Sequence, residues 1–430
     1  LVHSTTGFNA SEKIDDLTNH VVLSAISRTM SSDVLSGLEN KYSDIHSGFC
    51  YDLIFNWIHG EDKKSFKSIA DYVTGNLSLL NRFNSFEIKD LVETDILPVI
   101  DEVILSKLMY GISNRTIDSD SVIRIVEKRR TSALYEEYTY FYEGIYQVAL
   151  MNQFYESHLN SFHHVEAKEM WKSYTNDYYQ MDTFYRNFHI AFSTCLQTLH
   201  PSLDDAFKDL AGYVEKEYKN WYLDQLSSNW NKVIESDLGS TGKISGLAQQ
   251  TDFYQDVVKK VDGKVFVIIS DAMRYDVAHS LAKQLEIETK ADVEISAQQG
   301  IYPTITKYGM AALLPHKKLE SIENNGTTKV LVDGHPSEMS DRDGILKSYS
   351  ENSMALRYKD IISMKRDDRR AAVKGKDIIY IYHDTIDASS HNDESSVFDA
   401  CEKAINEIKN LVNVICNELQ GLNVIITSDH

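Results

Sequence analysis

The sequence predicts an α/β protein in two parts, a parallel-sheet domain over residues 251–430 preceded by a mostly α-helical region over residues 1–250. Up to about residue 235 only Pro98 and Pro201 interrupt the chain, and apolar residues recur at helical rather than alternating spacing. Three glycines then fall together in Gly239-Ser-Thr-Gly242-Lys-Ile-Ser-Gly246, which marks a linker. Beyond them strands alternate with helices, the pattern of a parallel sheet covered on both faces.

In the first part Leu134, Tyr138, Phe141, Ile145, Val148 and Tyr155 form one apolar stripe along a long helix. Tyrosines at that spacing are expected to pack between helices with their hydroxyls at the rim, in preference to forming a base-stacking platform. A further break near residue 130 is a candidate division of this region into two subdomains. The pair His163–His164 and the four tryptophans lack a third ligand type at metal spacing, so no chemistry is assigned to them.

In the second part Val265-Phe-Val-Ile-Ile269 reads as a buried central strand, followed by a helix with Val277, Leu281 and Leu285 on one face. A strand is expected at Val293 to Ala297, and a second apolar strand at Asp377 to Tyr382. A long helix carries Val397, Cys401, Ile405, Ile408, Leu411, Ile415 and Leu419, and a third apolar strand runs from Leu422 to Thr427.

Composition excludes several classes. The 430 residues, 42% hydrophobic and 25% charged, suit two or three globular domains. The longest tight apolar run is far short of the roughly 20 residues that cross a bilayer, and no basic-then-apolar leader opens the chain, so a cytoplasmic protein without a membrane partner is expected. Four scattered cysteines without a CxxC pair suggest reduced thiols. A formal charge of −20 argues against a general nucleic-acid coat protein. The chain starts at Leu1 without a methionine and stops just after an apolar strand, as expected of a portion of a longer protein.

Each of the three best strands ends in acidic or imidazole groups: Ser270-Asp271, then His383-Asp384 with Asp387 and His391, then Asp429-His430. Ligands of open α/β sheets bind outside the carboxyl ends of the strands, so these residues should converge. Asp271 alone would read as a helix N-cap; three agreeing ends favour a site. Oxygen and imidazole donors without thiolate suit zinc, with manganese as the alternative. A metal pair roughly 4 Å apart serves phosphoryl transfer. Such chemistry wants a hydroxyl, and Tyr302-Pro-Thr304-Ile-Thr306, leading into a short apolar helix from Lys307 to Leu314, offers two, although each threonine is equally a cap. Arg274 is a candidate for holding a substrate oxygen. The basic stretch Lys365-Arg-Asp-Asp-Arg-Arg370 with Lys374 and Lys376 is either a solvated face or a guide for an anionic substrate.

These segments resemble the PglZ domain family of the alkaline phosphatase superfamily, found in BREX bacteriophage-resistance systems. The resemblance rests on Val265-Phe-Val-Ile-Ile-Ser-Asp271-Ala-Met-Arg-Tyr-Asp276, on the Pro-Thr-x-Thr segment running into Gly-Met-Ala-Ala-Leu-Leu-Pro315, on Tyr-x-Tyr-His383-Asp-x-x-Asp387-x-x-x-His391, and on Thr-Ser-Asp429-His430. It covers about 165 residues at the C-terminal side and carries no motif in the helical region. The resemblance implies an alkaline-phosphatase-like parallel sheet and two zinc sites. One would use Asp271, the nucleophile, Asp429 and His430; the other Asp387, His391 and a further histidine expected downstream of His430. It implies a phosphatase or phosphodiesterase with a threonine nucleophile, Thr306 favoured and Thr304 the alternative. His383 and Asp384 become supports of the ligands or alternate ligands. The substrate would be a phosphate ester, a nucleotide or oligonucleotide among the candidates, and other defence proteins would be partners. No Cys/Ser-x-Pro-x-Arg segment of a sulfatase is present in the Pro-Thr-x-Thr stretch. A phosphomutase shares the ligand logic. The rival from another class is a defence-complex scaffold whose metal domain binds phosphate ligands without turnover.

Overall fold

The computed structural model describes residues 1–9, 13, 15–198, 200–324, 326–390 and 396–430. The chain divides into two compact units, one of Leu1–Leu159 with Phe184–Tyr222, the other of Asn160–Thr183 with Leu223–His430. The second unit thus draws in a segment from the helical region as well as everything after Tyr222.

Among the described residues every regular element of the first unit is a helix. The helix Tyr135–Ser157 buries Tyr138, Phe141, Ile145 and Val148, and leaves Tyr155 half-buried. Phe141 lies 5.0 Å from Phe207 between ring centres. A Cβ on Gly144 would sit 2.7 Å from the Phe207 ring, so the glycine permits this close helix crossing. The stripe is therefore packing surface and not a stacking platform. Under it Arg129 and Asp101, both buried, pair at 2.8 Å, and the Tyr142 hydroxyl donates to Asp101 at 2.6 Å. This satisfaction is what makes a buried ion pair tolerable.

The strands all belong to the second unit: β1 (Val265–Ser270), β2 (Leu319–Asn324), β3 (Thr327–Val332), β4 (His335–Pro336), β5 (Ser353–Arg357), β6 (Ile378–His383) and β7 (Asn423–Thr427). Four form a parallel sheet in the order β5-β6-β1-β7, and β2, β3 and β4 form a separate antiparallel sheet. β1 is buried throughout, and its residues alternate between two cores as strand geometry requires. Phe266 and Ile268 face the helices Tyr275–Glu288 and Val397–Glu418 through Val277, Leu281, Ile405 and Ile408. Val267 and Ile269 face Met310, Ala311, Leu313 and Leu314, at and beyond the helix Thr306–Ala312, with Val330 and Val332 of β3.

The three expected strands are β1, β6 and β7, and the expected helices over 275–288 and 397–418 are present. The expected strand at Val293–Ala297 is not: this stretch joins no ladder, and just beyond it Gln299 makes an isolated bridge to Gln249. Val293 packs against the core and Gln298 reaches Thr427 of β7 through its side chain, but Glu294 and Ile295 stay exposed and the stretch makes no backbone ladder with that strand. No helix among the described residues is long and apolar enough to cross a membrane.

Candidate metal centre

The register pairs Ser270 with His383 and Ile269 with Thr427, so the carboxyl ends of β6, β1 and β7 finish level. The Asp271 amide extends the ladder by donating to the His383 carbonyl at 2.8 Å. The chain then turns through Ala272 at φ 61°, a left-handed conformation costing a residue with a Cβ about 1–2 kcal/mol. Hydrogen bonds from the far side of β1 hold that turn: the Ala272 amide donates to Asp429 Oδ1 at 3.1 Å and the Met273 amide to Ser428 Oγ at 3.0 Å.

This stitching brings together three of the expected ligands. One donor atom from each of Asp271, Asp429 and His430 falls within 4.8 Å of the others. His430 Nε2 lies 3.4 Å from Asp271 Oδ1 and 3.8 Å from Asp429 Oδ2. Asp271 is 8% exposed and Asp429 1%, yet Asp271 Oδ1 and Asp429 Oδ2 have no hydrogen-bond donor. Burial pushes the Asp271 carboxyl up to about 7, with the charges of Asp429 and Asp387 adding to it. Burial likewise raises Asp429 to about 6, against the amide bond from Ala272 that favours its charged form. Two buried carboxylates this close are costly when both are ionised, and either a proton shared between them or a cation between Asp271 Oδ1 and Asp429 Oδ2 relieves that cost. Two carboxylates, an imidazole and no thiolate form a donor set that fits a divalent ion such as zinc or manganese.

Thr306 opens the helix Thr306–Ala312, and its Oγ1 lies 3.2 Å from His430 Nε2. The helix reaches the cluster because Gly309 has no side chain: a Cβ there would stand 2.0 Å from the Asp429 carbonyl oxygen. Thr304 is exposed, and its hydroxyl makes no hydrogen bond among the described residues. Of the two threonines it is Thr306 whose hydroxyl is hydrogen-bonded with a residue of the cluster.

The other expected residues are placed differently. Asp387, half-buried in the helix Thr385–Ser390, is near enough for its charge to reach Asp271. His391 lies outside the described residues. Both ring nitrogens of His383 are engaged: Nδ1 is 3.1 Å from Ser270 Oγ and Nε2 is 2.9 Å from Glu407 Oε2. Its burial lowers the imidazole pKa, and its carbonyl anchors the Asp271 amide. Asp384 is exposed and pairs with Lys359 at 3.1 Å. Arg274 Nε donates to the buried carboxylate of Asp276 at 2.8 Å. The basic stretch flanks the opposite edge of the sheet. Arg370 and Lys374 line a cavity of about 370 Å³ with Lys264, which precedes β1, and Arg370 Nε donates to the Glu418 carbonyl at 2.9 Å. Arg370 and Lys374 thus lie beside the residues that precede β1 and β7, at the amino edge.

Sequence reasoning missed Gln250, Gly309 and Glu407. Gly309 lay in a quoted motif, where its spacing from Thr306 was the available signal. Gln250 lies at the expected domain boundary, just past the Gly239–Gly246 linker, and Glu407 on a helix read only for its apolar face.

A parallel sheet covered by helices, with carboxylates, an imidazole and a threonine at its carboxyl edge, defines an alkaline phosphatase-like α/β domain. Residues 252–430 match the family described as the BREX system PglZ alkaline phosphatase-like domain. The chain is 32% identical over 438 residues to the alkaline phosphatase-like protein PglZ of Bacillus cereus (strain H3081.97), across 100% of this chain and 50% of that protein. It is 33% identical over 355 residues to the alkaline phosphatase-like protein BrxZ of Escherichia coli O9:H4 (strain HS), across 79% of this chain and 40% of that protein. Residues 252–430 therefore belong to the PglZ domain family, and the chain spans half or less of the length of these curated relatives.

Proposed function

We propose that the PglZ domain is a metal-dependent phosphatase or phosphodiesterase with Thr306 as its nucleophile. The observation that carries this reading is the pair of donorless buried oxygens, Asp271 Oδ1 and Asp429 Oδ2, beside His430 and the Thr306 hydroxyl. Asp271, Asp429, His430 and Thr306 would hold one ion, zinc or alternatively manganese, and Asp387 with His391 would contribute to a second. Bound there, the ions supply positive charge that favours the ionised threonine and draws electrons from the phosphoryl group.

The chain's own residues do the rest. The fold holds Thr306 Oγ1 3.2 Å from His430 Nε2, and Gly309 lets the helix approach the segment that carries Asp429. The Thr306 oxygen attacks phosphorus in line, forming a phosphothreonine as the ester P–O bond breaks, and the hydroxyl proton leaves on the alcohol product. Water then hydrolyses the phosphothreonine, restoring the hydroxyl and releasing phosphate from a monoester or a phosphomonoester from a diester.

The substrate is a phosphate ester, nucleotides and oligonucleotides being the candidates, and the partners are other proteins of a defence system in the cytoplasm. The family description, which names a BREX system, supports the defence setting. The test is hydrolysis of a chromogenic phosphomonoester and phosphodiester, with zinc or manganese, by the full-length protein beside Asp271→Ala and Thr306→Ala. Metal-dependent turnover lost in both variants supports the enzyme. A folded, metal-loaded protein without turnover moves the assignment to a scaffold that binds phosphate ligands.

A further inference from the structure

Gln250 is 2% exposed, and its side-chain amide is spent wholly on the two segments that build the site. Nε2 donates to the carbonyls of Asp429 at 2.7 Å and Ser428 at 3.2 Å, and Oε1 accepts from the Ile301 amide at 3.0 Å. The Gln250 amide donates in turn to the Gln299 carbonyl at 2.9 Å. One residue thus ties the stretch that leads into Thr306 to the stretch that carries Asp429 and His430. The Asp429 carbonyl is held from two sides, since it also lies against Gly309 of the Thr306 helix.

We infer that Gln250 is a positioning residue that sets Thr306 against the Asp429–His430 pair through the backbone, so that the donor set is held ready for a cation. The inference rests on the metal-centre reading above. Its physical basis is chemical: no other uncharged side chain of this length offers two N–H donors and one acceptor in a single plane. Both donors are directed at adjacent carbonyls of the segment bearing the ligands. Groups behind metal ligands commonly account for 10–100-fold in affinity or rate.

Gln299 supplies an internal control. It is buried at the same junction, but its side chain accepts from the amide of Ile244 at 2.8 Å and donates to the carbonyl of Gly242 at 3.1 Å, away from the site. Gln250→Met preserves the packing and removes all three site bonds. Gln250→Glu keeps an acceptor for Ile301 and replaces both donors, so the proposal remains testable if the methionine variant does not fold.

The experiment is zinc and manganese affinity by isothermal titration on the full-length protein, with Asp271→Ala as the reference for the site itself. The expected result is an affinity about 10–100-fold weaker in the folded Gln250 variant, with Gln299→Met within about threefold of wild type. Affinity within about threefold of wild type in the Gln250 variant, or an equal loss in Gln299→Met, overturns the positioning role. An Asp271→Ala protein that binds the metals as wild type does instead overturns the metal centre, and the positioning role with it.

Discussion

Replacing Asp271 by asparagine should stabilise the metal-free protein at alkaline pH while removing most of its response to metal. The carboxyl rises from 3.8 to about 7 because it is buried beside Asp429, itself without a donor for Oδ2. At 1.36 kcal/mol per pH unit that perturbation amounts to about 4 kcal/mol as an upper figure. Water entry and small shifts of the two loops reduce it, leaving roughly 1–3 kcal/mol to be recovered when the charge is removed. An asparagine amide also offers the donor that Asp429 lacks.

The sign follows from proton binding. Between about pH 4 and pH 7 the folded state holds a proton on Asp271 that the unfolded chain has released, so metal-free stability falls as pH rises through that window. Above about pH 7 the full penalty is present; near pH 4 it has gone. Thermal unfolding in chelator at pH 8 should place Asp271→Asn roughly 3–10 °C above wild type, the gap narrowing as pH approaches 4. Added zinc or manganese should reverse the order, because an ion at a hundred times its dissociation constant adds about 2.7 kcal/mol to the protein that binds it. A variant less stable than wild type at pH 8 in chelator, or one that keeps the whole metal-induced shift, would refute the reasoning.

Thr306→Ala should abolish phosphate-ester hydrolysis and Thr304→Ala should leave it within about threefold of wild type, because of the two threonines it is Thr306 whose hydroxyl is hydrogen-bonded with the His430 ring; steady-state kinetics on the two variants decide between them. Gly309→Ala should weaken metal binding and cost about 1–3 kcal/mol or more, since its Cβ would fall 2.0 Å from the Asp429 carbonyl oxygen and the obstacle is backbone. Titration calorimetry and thermal unfolding read both effects, and an unperturbed Gly309→Ala protein would mean that the helix does not bear on the ligand loop.

What the sequence made legible were the elements whose signal is local. Val265–Ile269 is apolar at every position because both faces of β1 are covered, and the acidic groups after each strand could be read from order alone. The antiparallel β2–β3 pair also has a local signal, the Asn-Gly dipeptide between its two strands. β5 had none: Ser353–Arg357 has weak strand propensity and is defined by pairing with β6. His383 shows the limit for site residues. A histidine closing a strand beside acidic groups reads as a ligand, and only the arrival of Glu407 from a helix 24 residues later, with Ser270 on the other nitrogen, gives it a different place.

The charge distribution sets an order of events for the proposed reaction. The chain carries a formal −20, and the basic stretch flanks the amino edge of the sheet, away from Asp271, Asp429 and Asp387. A phosphate ester approaching the metal-free carboxyl edge therefore meets carboxylates and no compensating cation from that stretch, and repulsion disfavours binding. Under the proposed reading cations bind first and the anion second. Linkage then requires that whatever factor the metal adds to anion affinity, the anion adds to metal affinity. Orthovanadate should bind only in the presence of zinc or manganese and should tighten the metal by the same factor. Equal vanadate affinity in chelator would place the anion site elsewhere.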